Sequence, residues 1–266
     1  MYDFQYHRPG SLDDATKTLA GSEDATLVAG GMTLIPTLKQ RLARPSDIVD
    51  LGAIGDLRGI AVNGNVLAIK AMTTHGTVAA SDAVRAAIPA LADLAGHIGD
   101  SQVRHRGTIG GSVANNDPAA DYPAACLGLG ATIVTTAREI AADDFFVGLF
   151  ETALEPGEII RAIRFPKPKR AAYMKFPNPA SRYAMVGVFV AETADGIRVA
   201  VTGAGNDGVF RVADMEAALQ KSFTPDAIAG VTVPPDDLNG DIHASPDYRA
   251  HLIGVMAKRA VAKAIG

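Results

Sequence analysis

Residues 104–123 read RHRGTIGGSVANNDPAADYP. Inside this stretch, Thr108-Ile109-Gly110-Gly111-Ser112 places two adjacent glycines between two hydroxyl side chains. Glycines let a ligand approach the main chain, and the Thr108 and Ser112 hydroxyls suit phosphate or ribose oxygens. Ile109 could pack against a flat ring. A tightly packed turn accounts for the same residues equally well. Arg104 and Arg106 could offset pyrophosphate charge or simply stand in solvent. Asp117 and Asp121 could form a catalytic pair or a metal site, but acids in an Asn-Asp-Pro turn commonly bond local backbone.

A second glycine cluster lies upstream: Ala29-Gly30-Gly31-Met32-Thr33-Leu34. It follows a strand candidate, residues 25–29, and precedes a helical pattern over 33–41. Amides at a helix start, with no side chains in the way, can point at a phosphate. An ordinary strand-to-helix turn is again the alternative. Two such clusters in one chain favour a large phosphate-bearing ligand more than either does alone.

Around the clusters, the N-terminal pattern is strand (2–7), helix, strand (25–29), helix (33–41), strand (47–51). Ser11 stands as a helix cap with Asp14 three residues on. That order suggests a small α/β unit with a parallel sheet. From about Gly55 the pattern becomes α+β. Asn63-Gly64 between apolar runs signals a hairpin, helices follow over 74–96, and strands are expected at 133–136, 139–142 and 159–165. Lys167-Pro168-Lys169 marks the expected domain boundary. Antiparallel strands follow at 171–176, 184–191 and 197–202, then helices at 215–220 and 246–265. Ser245 caps the last helix, with Pro246 at its first position.

Composition narrows the classes. The chain has 266 residues, 48% hydrophobic and 20% charged, enough for a sizeable core. A net charge of −4 without a long basic run argues against nucleic acid or an acidic membrane as partner. One cysteine, Cys126, cannot form an internal disulfide or alone hold an iron–sulfur cluster. With no apolar leader and no apolar run long enough to span a bilayer, the expectation is a soluble, cytoplasmic protein.

Other motifs carry little. Gly203-Ala204-Gly205-Asn206-Asp207-Gly208 fits the G-x-G-x-x-G pattern but is followed by Val-Phe-Arg-Val, which reads as extended. A dinucleotide fold needs a helix starting there and an acid ending a strand about 20 residues on. Asp226 instead follows Pro225 at a helix start. The six histidines show no metal-ligand spacing.

With both glycine clusters in place, the chain resembles the FAD-binding medium subunit of the molybdenum hydroxylases, the group that includes aerobic carbon monoxide dehydrogenase and xanthine dehydrogenase. The matching segments are residues 29–45, 97–125, 142–146, 152–160, 175–191 and 245–264. The resemblance covers nearly the whole chain, and the paired motifs in this order are specific. It implies an α+β fold: a vanillyl-alcohol-oxidase-type FAD domain over 1–166, with subdomains at about 1–54 and 55–166, then a C-terminal domain over 167–266. By resemblance, Ala29 to Leu34 and Thr108 to Ser112 hold the FAD pyrophosphate and ribityl region, with Ile109 near the flavin. Asp121, Ile160, Lys175 and Tyr183 stand at further FAD-contact positions. Met32-Thr33 and His105 depart from the residues frequent in relatives, without threatening FAD binding.

The resemblance also implies electron transfer rather than chemistry at a protein nucleophile. Its partners would be a small [2Fe-2S] subunit and a large molybdopterin subunit, in a dimer of heterotrimers. The alternatives are a self-sufficient flavin-dependent dehydrogenase and a binding module without flavin.

Overall fold

The computed structural model describes residues 1–266. The N-terminal unit follows the expected order: β1 (Gln5–His7), α1 (Leu12–Gly21), β2 (Ala25–Val28), α2 (Leu34–Lys39) and β3 (Asp47–Asp50). β3 lies between β1 and β2, and all three strands run parallel. The Ser11 hydroxyl accepts from the Asp14 amide and caps α1. Pro36 is tolerated because it sits in the first turn of α2, where its missing N–H has no partner to lose.

The second unit opens with β4 (Ile60–Asn63) and β5 (Val66–Lys70). Six helices follow: α3 (His75–Ala80), α4 (Asp82–Ala87), α5 (Pro89–Gly96), α6 (Ser101–Arg106), α7 (Ile109–Asn115) and α8 (Tyr122–Leu129). Then come β6 (Thr132–Thr135), β7 (Glu139–Ala141), α9 (Ala142–Phe145), β8 (Phe146–Gly148), β9 (Glu151–Thr152) and β10 (Ile160–Pro166). The antiparallel sheet runs β4-β5-β10-β6-β7, and β8 and β9 form a separate two-stranded hairpin.

At residues 167–169 the chain leaves this sheet for a four-stranded meander. Its strands are β11 (Arg170–Pro177), β12 (Ala184–Thr193), β13 (Gly196–Gly205) and β14 (Gly208–Arg211); α10 (Ala213–Lys221) and α11 (Pro246–Ile265) follow. The largest core does not stop at this crossing. Tyr173, Phe189, Ala191 and Ala200 of the meander join α5, α7, α8 and the five-stranded sheet in it. Val186, Val188, Val190, Val199 and Val201 face α10 and α11 in a second core. β12 is therefore buried on both faces, which explains its near-continuous apolar run Ala184–Ala191.

The 203–208 glycine pattern is a hairpin. Gly205 pairs with Gly208 across Asn206-Asp207 as β13 turns into β14, so no helix starts there.

Helices α6 to α8 fill residues 101–129, for which the sequence pattern assigns no element. Each short helix has a local start. The Asp100 carboxylate accepts from the Val103 amide and the Thr108 hydroxyl from the Gly111 amide, while Pro123 sits in the first turn of α8. Gly110, Gly111 and Gly128 obscure the helical signal because glycine lowers intrinsic propensity. Tertiary packing favours the helix despite it.

Candidate functional site

One cavity of about 560 Å³ lies between the N-terminal unit, helices α6 to α8 and the loop joining β11 to β12. That volume falls in the range of cofactor clefts. Of the sequence candidates, Ala29 to Leu34, Thr108, Gly110 to Ser112, Asp121, Ile160 and Tyr183 all line it. The two glycine clusters do form facing walls of one space.

Their chemistry differs, and only one is open. In 109–112 every amide of the helix start is already engaged. Ile109 donates to the Thr73 carbonyl, Gly110 to Ala71, Gly111 to the Thr108 hydroxyl and Ser112 to the Thr108 carbonyl. A Cβ on Gly110 would lie 2.5 Å from the Ala71 Cβ and 2.8 Å from its carbonyl oxygen. Gly110 is therefore a packing glycine. In 29–34 the reverse holds: the amides of Gly30, Gly31, Met32, Thr33 and Leu34 donate to nothing within the chain. Gly31, at φ +73, turns the loop. The Thr33 side chain does not cap α2, and the Ser112 hydroxyl makes no hydrogen bond within the chain. Five consecutive free donors and the free Ser112 hydroxyl, with the Thr33 hydroxyl beside the Tyr183 phenol, suit an anionic, phosphate-bearing ligand at one cavity.

The interlock of the two walls is steric. A Cβ on Gly30 would overlap the Arg106 carbonyl oxygen, and one on Gly107 would lie 2.5 Å from the His75 Nε2. Glycine is needed where α6 ends against both the first loop and α3.

Two candidates stand elsewhere. Ile109 was expected beside a planar ring, yet its side chain is fully buried in the main core and does not line the cavity. The reason is geometric: Thr108 caps α7, so the next residue points inward. Lys175 does not line the cavity either. Its ammonium lies 2.9–3.0 Å from the two oxygens of the Asp121 carboxylate and donates to the His97 carbonyl at 3.2 Å. Tyr173 donates to the same carboxylate at 2.5 Å. Burial pushes the Asp121 carboxyl up, and Lys175 and Tyr173 act against that shift. Asp121 thus faces the cavity while holding the β11 strand to the start of α8.

Of the two readings open for the arginines, the structure favours the one away from the ligand. Neither Arg104 nor Arg106 lines the cavity. Arg104 donates to the Ile98 and Gly99 carbonyls, and both arginines sit in the last turn of α6, where cations are favoured. Asp117 accepts from the Ala119 amide at 2.9 Å, which makes it a turn former on the cavity wall. Its carboxyl is raised by burial.

Several lining residues gave no sequence signal: His75, Gly99, Glu158 and Arg182. Each comes from a different part of the chain, and only folding collects them. Glu158 accepts from Arg138 at 3.0 Å and from the Thr135 hydroxyl at 2.8 Å. These bonds, with Arg138 leading, hold its carboxyl down at about 2. His75 is buried beside Tyr122, ring centroids 5.3 Å apart, and its Nδ1 has no partner.

Burial, then the charge of Arg104, depresses the His75 imidazole to about 4. The folded chain therefore holds this ring neutral where the unfolded chain protonates it. Stability is lost as pH falls from about 6.5 towards 4. His75→Gln should flatten that part of a urea-unfolding profile by about 2–3 kcal/mol. An unchanged slope between pH 6.5 and 4 would refute the assignment.

With this geometry in place, the chain can be set beside known proteins. The family described as "FAD binding domain in molybdopterin dehydrogenase" matches residues 2–168. The chain belongs to that family. It is 38% identical to the carbon monoxide dehydrogenase medium chain of Afipia carboxidovorans, over 98% of this chain and 96% of the relative. It is 35% identical to the nicotine 6-hydroxylase medium subunit of Paenarthrobacter nicotinovorans, over 98% and 96%. Among solved structures, reconstituted CO dehydrogenase from Oligotropha carboxidovorans superposes with a TM-score of 0.91 at 36% identity, covering 99% of this chain and 98% of that one.

The cofactor of this family is FAD, and the chain is an oxidoreductase subunit of the molybdenum hydroxylase type. The cavity fits it. A dinucleotide diphosphate is the kind of anion that the open 30–34 amides suit. The α+β architecture expected from the sequence is the observed one. No helix is long and apolar enough to cross a membrane.

Proposed function

We propose that this chain is the electron-transfer subunit of a molybdenum-containing hydroxylase, passing electrons from [2Fe-2S] clusters of a partner subunit to an external acceptor. The observation that carries the reading is the row of five free amides from Gly30 to Leu34 on the wall of a cofactor-sized cavity. Residues 1–166 would form the cofactor domain and 167–266 a smaller C-terminal domain. The relatives are named as medium chains or subunits, which supports smaller and larger companion chains; in this reading these are a [2Fe-2S] subunit and a molybdopterin subunit, in a dimer of heterotrimers.

When bound, FAD supplies reversible one- and two-electron redox chemistry. The chain's own residues bind, orient and shield it. The 30–34 amides, with the Thr33 and Ser112 hydroxyls, receive the diphosphate. Ala29, Thr108, Gly110, Gly111 and Ile160 form close walls against which a rigid ligand orients. Met32 and Tyr183, 39% and 44% exposed, stand at the mouth. Asp121 holds its wall in place through Lys175 and Tyr173. Ile109 and Lys175 serve as supports behind that surface.

Thr33→Ala and Ser112→Ala should each weaken FAD binding about 10-fold, since a hydrogen bond to a charged group is worth roughly 1.5–3 kcal/mol. Flavin fluorescence titration of the apo chain measures this. Affinities unchanged in both variants would remove the hydroxyls from the site.

The function is tested by purifying the chain from its host with whatever subunits accompany it. Substrates are then screened by bleaching of the flavin spectrum. The expected result is bleaching in the complex and none in the chain alone. Substrate-dependent bleaching of the isolated chain would instead identify a self-sufficient dehydrogenase. A chain that takes up no FAD would overturn both readings.

A further inference from the structure

The β8–β9 hairpin carries an anomaly in its turn. Four hairpins in this chain close over two residues. Asn63 pairs with Val66 across Gly64-Asn65, Thr193 with Gly196 across Ala194-Asp195, and Gly205 with Gly208 across Asn206-Asp207. Those turns hold small or polar residues, as tight turns require. The fourth, between Gly148 and Glu151, holds Leu149-Phe150. Phe150 sits at φ +55, a left-handed conformation that a bulky side chain adopts only under constraint.

Nothing within the chain rewards this choice. Leu149 and Phe150 are 54% and 56% exposed, and neighbouring Val147 is 55% exposed. A free-standing hairpin of this length is marginal in water, yet it is anchored. Asn116, itself left-handed at φ 42, ends α7 and donates both amide hydrogens across the hairpin, to the Gly148 and Glu151 carbonyls at 2.8 Å each. Both ends of α7 line the cofactor cavity. The tip is thus fixed to the wall of the site and aimed at solvent. Two exposed carboxylates flank it, Asp144 and Glu151, and neither forms an ion pair.

We propose that the Leu149–Phe150 tip is a docking knob for another protein subunit of the complex, one presenting an apolar socket rimmed by lysine or arginine. An aromatic anchor inside a charged rim is how compact interfaces concentrate their affinity. The unpaired Asp144 and Glu151 set the sign of the rim. The inference rests on the chain being a subunit of a complex.

The test compares the complex purified with its native partner subunits against the same complex carrying Leu149→Asn and Phe150→Gly. Sedimentation velocity across a dilution series reads assembly, and flavin absorbance per chain reads the cofactor site. Assembly should weaken at least about 10-fold. Flavin content should be unchanged, and the thermal midpoint of the isolated variant chain should not fall, because asparagine and glycine suit the turn. If the midpoint does fall, Asp144→Lys with Glu151→Lys carries the test: assembly should weaken at low salt and recover as salt screens the rim. Unaltered assembly of both double variants overturns the proposal. So does a wild-type isolated chain that dimerises through the tip, which would make a second copy the occupant. If no subunit accompanies the wild-type chain, the proposed function fails first, so the two failures are distinguishable.

Discussion

Gly30→Ala should give a chain that retains no stoichiometric FAD and is less stable by about 2–3 kcal/mol. The new methyl would overlap the backbone carbonyl of Arg106, with the Arg106 carbonyl carbon at 2.7 Å and the Gly107 Cα at 2.8 Å. All three neighbours are main chain, so no side chain can swing away. Overpacking of this kind costs about 1–3 kcal/mol, here at the junction of both cavity walls. Relief would have to come from moving the 30–34 loop outward, which disperses the row of free amides. Urea unfolding and flavin content per chain measure the two effects. Gly254→Ala is the control: it lies inside α11 with open space where its Cβ would be, so alanine should be neutral or stabilising by up to about 1 kcal/mol. A Gly30→Ala chain with full flavin and an unchanged midpoint would show that the walls are not interlocked as described.

Lys175→Met should destabilise the chain by about 3–5 kcal/mol, the usual result of leaving one member of a buried ion pair uncompensated. Both side chains are almost wholly buried, Lys175 at 5% and Asp121 at 4% exposure. The pair joins strand β11 to the head of α8, so its loss loosens the cavity wall as well as the core. Asp121→Asn combined with Lys175→Met removes both charges and should recover most of the loss, because the desolvation penalty disappears with them. A double-mutant cycle followed by urea unfolding gives the coupling directly. Strictly additive losses would mean that the two residues act separately.

The residue types alone determined the class of this protein. Alternation, caps and turn residues placed most elements: Ser11 and Ser245 as caps, the hairpin near Asn63-Gly64, and the long apolar run of β12. Two glycine-rich clusters in one chain pointed to a phosphate-bearing ligand, because bare backbone is visible in sequence.

What the bare backbone is for was decided only in three dimensions. Glycine admits two opposite uses, free donors or close packing, and sequence does not distinguish them. Folding does: Gly110 and Gly111 have their amides engaged, while Gly30 and Gly31 present theirs to the cavity. Asp121 and Lys175 share the same limit. Both can be singled out in sequence, yet across 54 positions only the fold shows that they neutralise each other. Ile109 turned inward for a similar reason, since its direction depends on where α7 begins. The anchored Leu149–Phe150 tip is the clearest case. No pattern in the sequence marks its residues, and only the backbone reveals a strained turn held out from the cofactor wall.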